Sequence, residues 1–240
     1  VFSVSADNIY SRGPHFYIYI VMYFGAILYL SASTVITARE FQNRSRLLIY
    51  PLILFVMAET IIQVALPELH VTWLCVTLLS VLYFIYCSEM WNQLDALTGL
   101  LNQNSYLKQT GGVRCKGGVL VVFDVDDFKQ INDRYGHIQG DLCLAGIAEC
   151  IKKSYANFGY CYRIGGDEFC VLLKNGGNEG RCKQEFLQRL QEKRGEIAFL
   201  PTVSYGSAPF SGEDIVKVKD RADQDMYQYK KERKNRKRLS

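Results

Sequence analysis

The stretch Arg163-Ile164-Gly165-Gly166-Asp167-Glu168-Phe169 constrains this chain more than any other. Apolar runs flank it, Tyr160-Cys161-Tyr162 before and Phe169-Cys170-Val171-Leu172-Leu173 after. A Gly-Gly pair between such runs predicts a tight hairpin turn, because glycine accepts the positive φ that these turns use. The turn holds Asp167 and Glu168 at its tip, side by side and unable to retreat into a core. Paired acids fixed in this way suit a divalent metal, and metal suits phosphate chemistry. Alone, the stretch reads equally well as a polar turn between two strands.

A second acidic cluster adds weight to the chemical reading. Val119-Leu120-Val121-Val122-Phe123 is a continuous apolar run, the pattern of a strand buried on both faces. It ends in Asp124-Val125-Asp126-Asp127-Phe128-Lys129, followed by Asn132-Asp133, Gly136-His137 and Gly140-Asp141. A buried strand that delivers a carboxylate at its C-terminal end is a common way to build a metal site on an α/β scaffold. Asp124 emerges there, with the Val125 carbonyl as a second hard oxygen beside it. Asp126 or Asp127 is expected to cap the helix that follows.

From Asp95 to about Asn235 the sequence resembles the GGDEF family of diguanylate cyclases. An opening motif stands as Asp95-Ala96-Leu97-Thr98-Gly99-Leu100-Leu101-Asn102, a central one runs from Asp124 to Asp141, the signature from Gly165 to Phe169, and a last one from Ala222-Asp223 to Asn235. Ordered motifs at family spacing are far more specific than any one of them. The resemblance implies an α+β domain with a nucleotidyl-cyclase-like mixed sheet flanked by helices. It also implies condensation of two GTP molecules into cyclic di-GMP, with release of two pyrophosphates.

Roles carry over residue by residue. The resemblance implies that Asp124, the Val125 carbonyl, Asp167 and Glu168 hold Mg²⁺ or Mn²⁺, two ions per GTP, against the triphosphate. Asp167 and Glu168 share metal binding and activation of the 3′-hydroxyl, and the sequence does not divide those jobs. Metal lowers the pKa of the hydroxyl and offsets phosphate charge. Asn132 and Asp141 match the guanine-reading pair, and Phe128 and Leu144 fall in the same substrate pocket. A carboxylate accepts from guanine N1–H and N2–H₂, whereas adenine offers the opposite pattern. Lys129, Lys230 and Lys234 match phosphate contacts, although any of them alone would read as a solvated surface charge.

The departures from the family pattern are informative. Gln103 stands where many members carry Arg. Arg233-Lys234-Asn235 replaces Gly-Arg-Asn, so position 234 keeps its charge but loses a bidentate guanidinium fork. Triphosphate affinity is expected to be weaker for it. The inhibitory Arg-x-x-Asp motif falls on Ala156-Asn157-Phe158-Gly159 and is absent. The signature acids and the strand-end Asp are all kept, which favours an active enzyme over a degenerate module that binds GTP or a partner without catalysis.

The 240 residues allow one soluble domain and a smaller part. Residues 1–88 are overwhelmingly apolar and aromatic, and three runs in them, about 16–38, 47–66 and 71–88, read as transmembrane helices. Each approaches the roughly 17–25 apolar residues that span a bilayer. No polar stripe breaks the first or third, and three such runs exclude a single cleaved leader. The loop at 39–46 carries Arg39, Arg44 and Arg46, while 67–70 carries none. The positive-inside rule then puts the first loop and the C-terminal domain in the cytoplasm of a bacterial cell, as a multi-pass protein of the inner membrane. Glu59 inside a span marks either a signal pocket or a polar helix contact. The chain begins at Val1 rather than Met, as a fragment of a longer protein would. Residues 89–95 read as a short helical linker, with Met90, Trp91, Leu94 and Leu97 at helical spacing but too few heptads for a coiled coil. Residues 96–240 form the catalytic domain.

The linker is expected to lead into helix, strand, helix, helix, strand, hairpin, strand, helix, strand, helix. Helices are predicted at 127–134, 139–156, 179–194 and 214–234, and a strand at 199–205 despite Pro201. The eight cysteines show no metal-ligand spacing and read as reduced, core-filling thiols. A net charge of +4 implies no nucleic-acid partner. The expected partners are GTP, a second copy of the chain and the membrane, whose anionic lipid the basic 230–238 tail also suits.

Overall fold

The computed structural model describes residues 72–111, 117–174 and 176–239 continuously, with short stretches and single positions between 2 and 62. The chain divides into two compact units, Val1–Met90 and Trp91–Ser240. In the first, Phe2–Val4 (β1) pairs antiparallel with Tyr10–Arg12 (β2). Helix α1, Thr72–Trp91, covers the third expected span and runs on through Glu89. Among the described residues no helix is long and apolar enough to cross a membrane. The expected transmembrane region is therefore not carried by any described helix. Most of the 16–38 and 47–66 runs, the loops at 39–46 and 67–70, and Glu59 lie outside the described residues.

The helical spacing through the linker is overruled after Trp91. Asp95 Oδ1 accepts from Thr98 N at 2.9 Å and from Thr98 Oγ1 at 2.6 Å. Such a side-chain-to-backbone turn competes with helix. Leu94 then bridges Leu101 across the turn.

The second unit continues with α2 (Gln103–Thr110), β3 (Gly118–Val125), α3 (Phe128–Tyr135), α4 (His137–Tyr155), β4 (Gly159–Arg163), β5 (Glu168–Leu173), α5 (Glu179–Glu196), β6 (Val203–Phe210) and α6 (Ile215–Leu239). The sheet has four strands in the order β4-β5-β3-β6. Every strand pairing in it is antiparallel, so the expected mixed sheet is corrected. A lone parallel bridge, Leu101 to Tyr162, lies outside the strands. β3 is nevertheless buried on both faces, because helices cover both sides. Val121, Phe123 and Val125 pack with Ile147 and Ile151 of α4 and Phe186 of α5. Leu120 and Val122 pack with Cys170, Leu172 and, from α6, Val218 and Ala222. Phe123 meets Tyr155 and Phe186 edge-on, at centroid distances of 5.7 and 5.1 Å. Each such side chain contributes roughly 1.5–3 kcal/mol on burial.

Side chains alternate along a strand, so Asp124 shares the α6 face with Leu120 and Val122. That parity aims the strand-end carboxylate at the last helix. The β6 expectation is shifted: the strand is Val203–Phe210, not 199–205. Phe199 instead stacks on Tyr135 at 4.9 Å. Pro209 is tolerated inside β6 because β6 is an edge strand. Cys143, Cys150, Cys161, Cys170 and Cys182 are buried free thiols. Burial alone pushes Cys143 up to about 11, which leaves it an inert hydrophobe.

Candidate active site at the strand ends

The β3–β5 register sets Asp124 directly opposite Glu168. Both residues lie on the α6 face, since Glu168 shares parity with Cys170 and Leu172. Asp167 precedes Glu168 in the turn, and its carbonyl accepts from Val125 N at 3.2 Å. The backbones of Asp124, Val125, Asp167 and Glu168 therefore lie together where β3 ends and β5 begins.

The turn itself differs from the expected tight hairpin. Ile164–Asp167 connect β4 to β5, and Ile164 N donates to Glu168 O at 3.0 Å. Neither Gly165 nor Gly166 takes positive φ. Gly165 sits close against Glu168 instead: an added methyl would meet that side chain at 3.2 Å and press on it. Arg163 locks the turn, donating from Nη2 to Gly166 O at 2.7 Å and from Nη1 to Asp95 Oδ1 at 3.0 Å. Burial opposes the charge on Asp95, but hydrogen bonds from Thr98 and Arg163 outweigh it and hold its carboxyl below the ordinary value.

Asp126 does not cap α3. It is buried, and accepts from Thr202 Oγ1 at 2.9 Å and Ser204 Oγ at 2.7 Å. Arg233 Nη2 pairs with it at 2.9 Å, and Lys230 Nζ lies 3.5 Å away. Asp127 occupies the cap position but makes no side-chain cap bond. Its φ of 54° lies in the left-handed region that Asp tolerates, not in the extended region of an ordinary cap residue. Lys230 also pairs with Asp124. Burial works against the Lys230 ammonium, and the two carboxylates overcome this and raise its pKa. Lys234 lies one helical turn beyond, with its side chain outside the described residues.

The expected base-reading residues sit on α3 and α4. Gly140 is buried against Asn132: a methyl there would meet Asn132 Oδ1 at 1.9 Å. Asn132 Oδ1 is buried with no hydrogen-bond partner. An orphaned buried acceptor calls for a donor, because leaving it unmade costs about 1–3 kcal/mol. Asp141 follows Gly140 and is exposed. Phe128 is half-buried beside the core that includes Leu144, while Lys129 is exposed on α3.

Among the described residues no group of three or more His, Cys, Asp and Glu side chains could hold a metal by itself. The two carboxylates on this face, Asp124 and Glu168, are hard oxygen donors beside a cationic helix. That set fits Mg²⁺, which keeps waters and phosphate oxygens in its shell and binds through one or two carboxylates. Sequence reasoning missed Arg163, Thr202, Ser204 and the inward role of Arg233. Arg163 carried a signal in its position beside the glycine pair. Thr202 and Ser204 carried none, because their partner Asp126 lies 76 and 78 residues away.

The family described as "Diguanylate cyclase, GGDEF domain" matches residues 92–236. Diguanylate cyclase DgcS of Shewanella oneidensis is 32% identical over 154 residues, covering 61% of this chain and 52% of its own length. Probable diguanylate cyclase DgcJ of Escherichia coli is 30% identical over 151 residues, covering 59% of this chain and 30% of its own. The chain thus spans about half or less of these relatives. The crystal structure of diguanylate cyclase SiaD with its activator SiaC, from Pseudomonas aeruginosa, shares the fold at a TM-score of 0.54 and 22% identity, over 90% of this chain and 83% of that one.

Proposed function

Since the chain belongs to the GGDEF family of diguanylate cyclases, we propose that it condenses two GTP molecules into cyclic di-GMP and two pyrophosphates. The observation that carries this reading is the register that sets Asp124 opposite Glu168, with Asp167 hydrogen-bonded through its carbonyl to Val125. Divalent metal bound here, two ions per GTP, would lower the pKa of the attacking 3′-hydroxyl and neutralise phosphate charge. Asp124, the Val125 carbonyl and Asp167 would hold it, with Glu168 beside them as ligand or as acceptor of the hydroxyl proton. Lys230, Lys234 and Lys129 meet the triphosphate. Asn132 and Asp141 read the guanine edge, and the orphaned Asn132 Oδ1 supports that role. Phe128 and Leu144 support the base from the apolar side.

Each domain holds one GTP, so the working form is a homodimer. The apolar runs before residue 89 anchor the chain in a bacterial inner membrane, with the catalytic unit on the cytoplasmic side. Hydropathy and the arginine loop support that placement, and alkaline carbonate extraction with protease protection tests it.

The deciding experiment incubates the purified chain with GTP and Mg²⁺ and identifies the product by mass spectrometry. Cyclic di-GMP from the unaltered chain and none from folded Glu168→Ala is the expected pair of results. GTP binding without any product would instead support a degenerate binding module.

A further inference from the structure

Asp126 is a buried carboxylate beside the site to which the chemistry above gives no work. Its side chain is 7% exposed and faces two cations from α6, Arg233 at 2.9 Å and Lys230 at 3.5 Å. A desolvated carboxylate needs a full counter-charge, and removing one partner of such a pair is strongly unfavourable. Arg233 meets that need more closely than Lys230 does. It is also fixed from other sides, donating to Val203 O at 3.3 Å and to Thr202 Oγ1. The guanidinium missing from position 234 thus stands one residue earlier and points inward. Lys230 reaches both Asp124 and Asp126, so its position depends on how well Asp126 is satisfied by something else.

We propose that Arg233 is a positioning residue for triphosphate binding, which neutralises Asp126 and so keeps Lys230 at Asp124, at the strand end where phosphate would bind, rather than on Asp126. Without Arg233, Asp126 would draw the Lys230 ammonium onto itself across a gap already only 3.5 Å wide. The proposal rests on the reading of Lys230 as a phosphate ligand given above. It makes Arg233 a contributor to substrate affinity that never touches substrate.

The test is pyrophosphate binding to the purified chain in Mg²⁺, by calorimetry, with a thermal melt on every variant. Arg233→Met is expected to weaken binding roughly tenfold, while Arg233→Lys keeps most of it. Lys230→Met weakens binding too, and adding Arg233→Met to it costs nothing further, because Arg233 acts through Lys230. Asp126→Asn in the Arg233→Met chain restores binding. Additive losses in the Lys230/Arg233 pair would overturn the proposal, as would unchanged binding in Arg233→Met. If Arg233→Met fails to fold, Asp126→Asn alone and Asp126→Asn with Arg233→Met carry the test: equal binding supports the proposal and weaker binding by the pair overturns it. An unaltered chain that binds neither GTP nor pyrophosphate would sink the functional reading itself, and this inference with it, a result distinct from the others.

Discussion

Gly140 shows how a single missing side chain can shape a binding site. Its bare Cα lets Asn132 Oδ1 come within 1.9 Å of where a methyl would stand. The next residue, Asp141, then projects from α4 into solvent. In the guanine-reading role proposed above, Asn132 and Asp141 would together offer acceptors to a base edge rich in donors. Asp141→Ala removes a side-chain acceptor, so GTP affinity is expected to fall at least about tenfold. Pyrophosphate affinity is expected to stay unchanged, since that ligand has no base. Calorimetry with both ligands checks it, and an equal loss for both would make Asp141 merely structural. That Asn132 and Asp141 lie on neighbouring helices follows from their place in one short motif. The expectation that Asp126 or Asp127 caps α3 with its side chain failed for the opposite reason: Asp127 holds the cap position without a cap bond, and Asp126 is committed elsewhere. Thr202, Ser204 and Arg233, the partners of Asp126, are distant in sequence; the β3–β6 pairing brings the first two near, and the packing of α6 against that sheet brings Arg233.

Among the elements, α6 matters most for the site, and its seat on β6 depends on Gly206. A methyl there would meet Ala222 O and Met226 N at 2.2 Å. Both are backbone atoms, so α6 itself would have to move, and it carries Lys230 and Lys234. Gly206→Ala is expected to cost about 3 kcal/mol by denaturant unfolding and to weaken GTP binding as well. Gly206, Ser207 and Pro209 look like loop residues, which is why β6 was placed too early. The strand uses them because it is an edge strand against which a helix lies closely. The helices, by contrast, were legible nearly to their ends from apolar periodicity. On the far face of the sheet α4 and α5 are joined through Glu149, which pairs with Lys153 at 2.6 Å and Lys193 at 2.9 Å. Hydrogen bonds from these two lysines hold its carboxyl down from 4.5 to about 2. A depressed folded-state pKa gives stability that is complete above about pH 4.5 and is lost as pH falls through about 2. With 44% of the Glu149 side chain exposed, solvent screening limits that stability to ~0.5 kcal/mol. Melting curves of Glu149→Gln and the unaltered chain are expected to differ at pH 6 and converge near pH 2.

At the scale of the whole molecule, the chemistry sets the assembly. On the reading proposed above, two GTP molecules must face each other, and each domain would hold one. Turnover per chain is therefore expected to rise with chain concentration in detergent and to level off once pairs are complete. The apolar composition of residues 1–88 was plain in the sequence, yet composition alone does not give the arrangement of those residues. It does suggest what brings two chains together, and control by pairing fits a second feature. The inhibitory motif falls on the turn between α4 and β4, at Ala156 and Gly159. Ala156 closes α4 with its amide donating to Lys152 O. A Cβ on Gly159 would meet the Leu172 carbonyl oxygen at 2.4 Å. An aspartate there is thus opposed by the β4–β5 backbone, not merely absent from the sequence. Cyclic di-GMP is expected to leave initial rates unchanged at concentrations well above those of the enzyme. Ala156→Arg with Gly159→Asp is expected to lower the melting temperature without installing inhibition. Inhibition of the unaltered chain that Ala156→Glu relieves would place product at this turn and overturn the prediction. Inhibition indifferent to both positions would place product elsewhere and leave pairing as only part of the control.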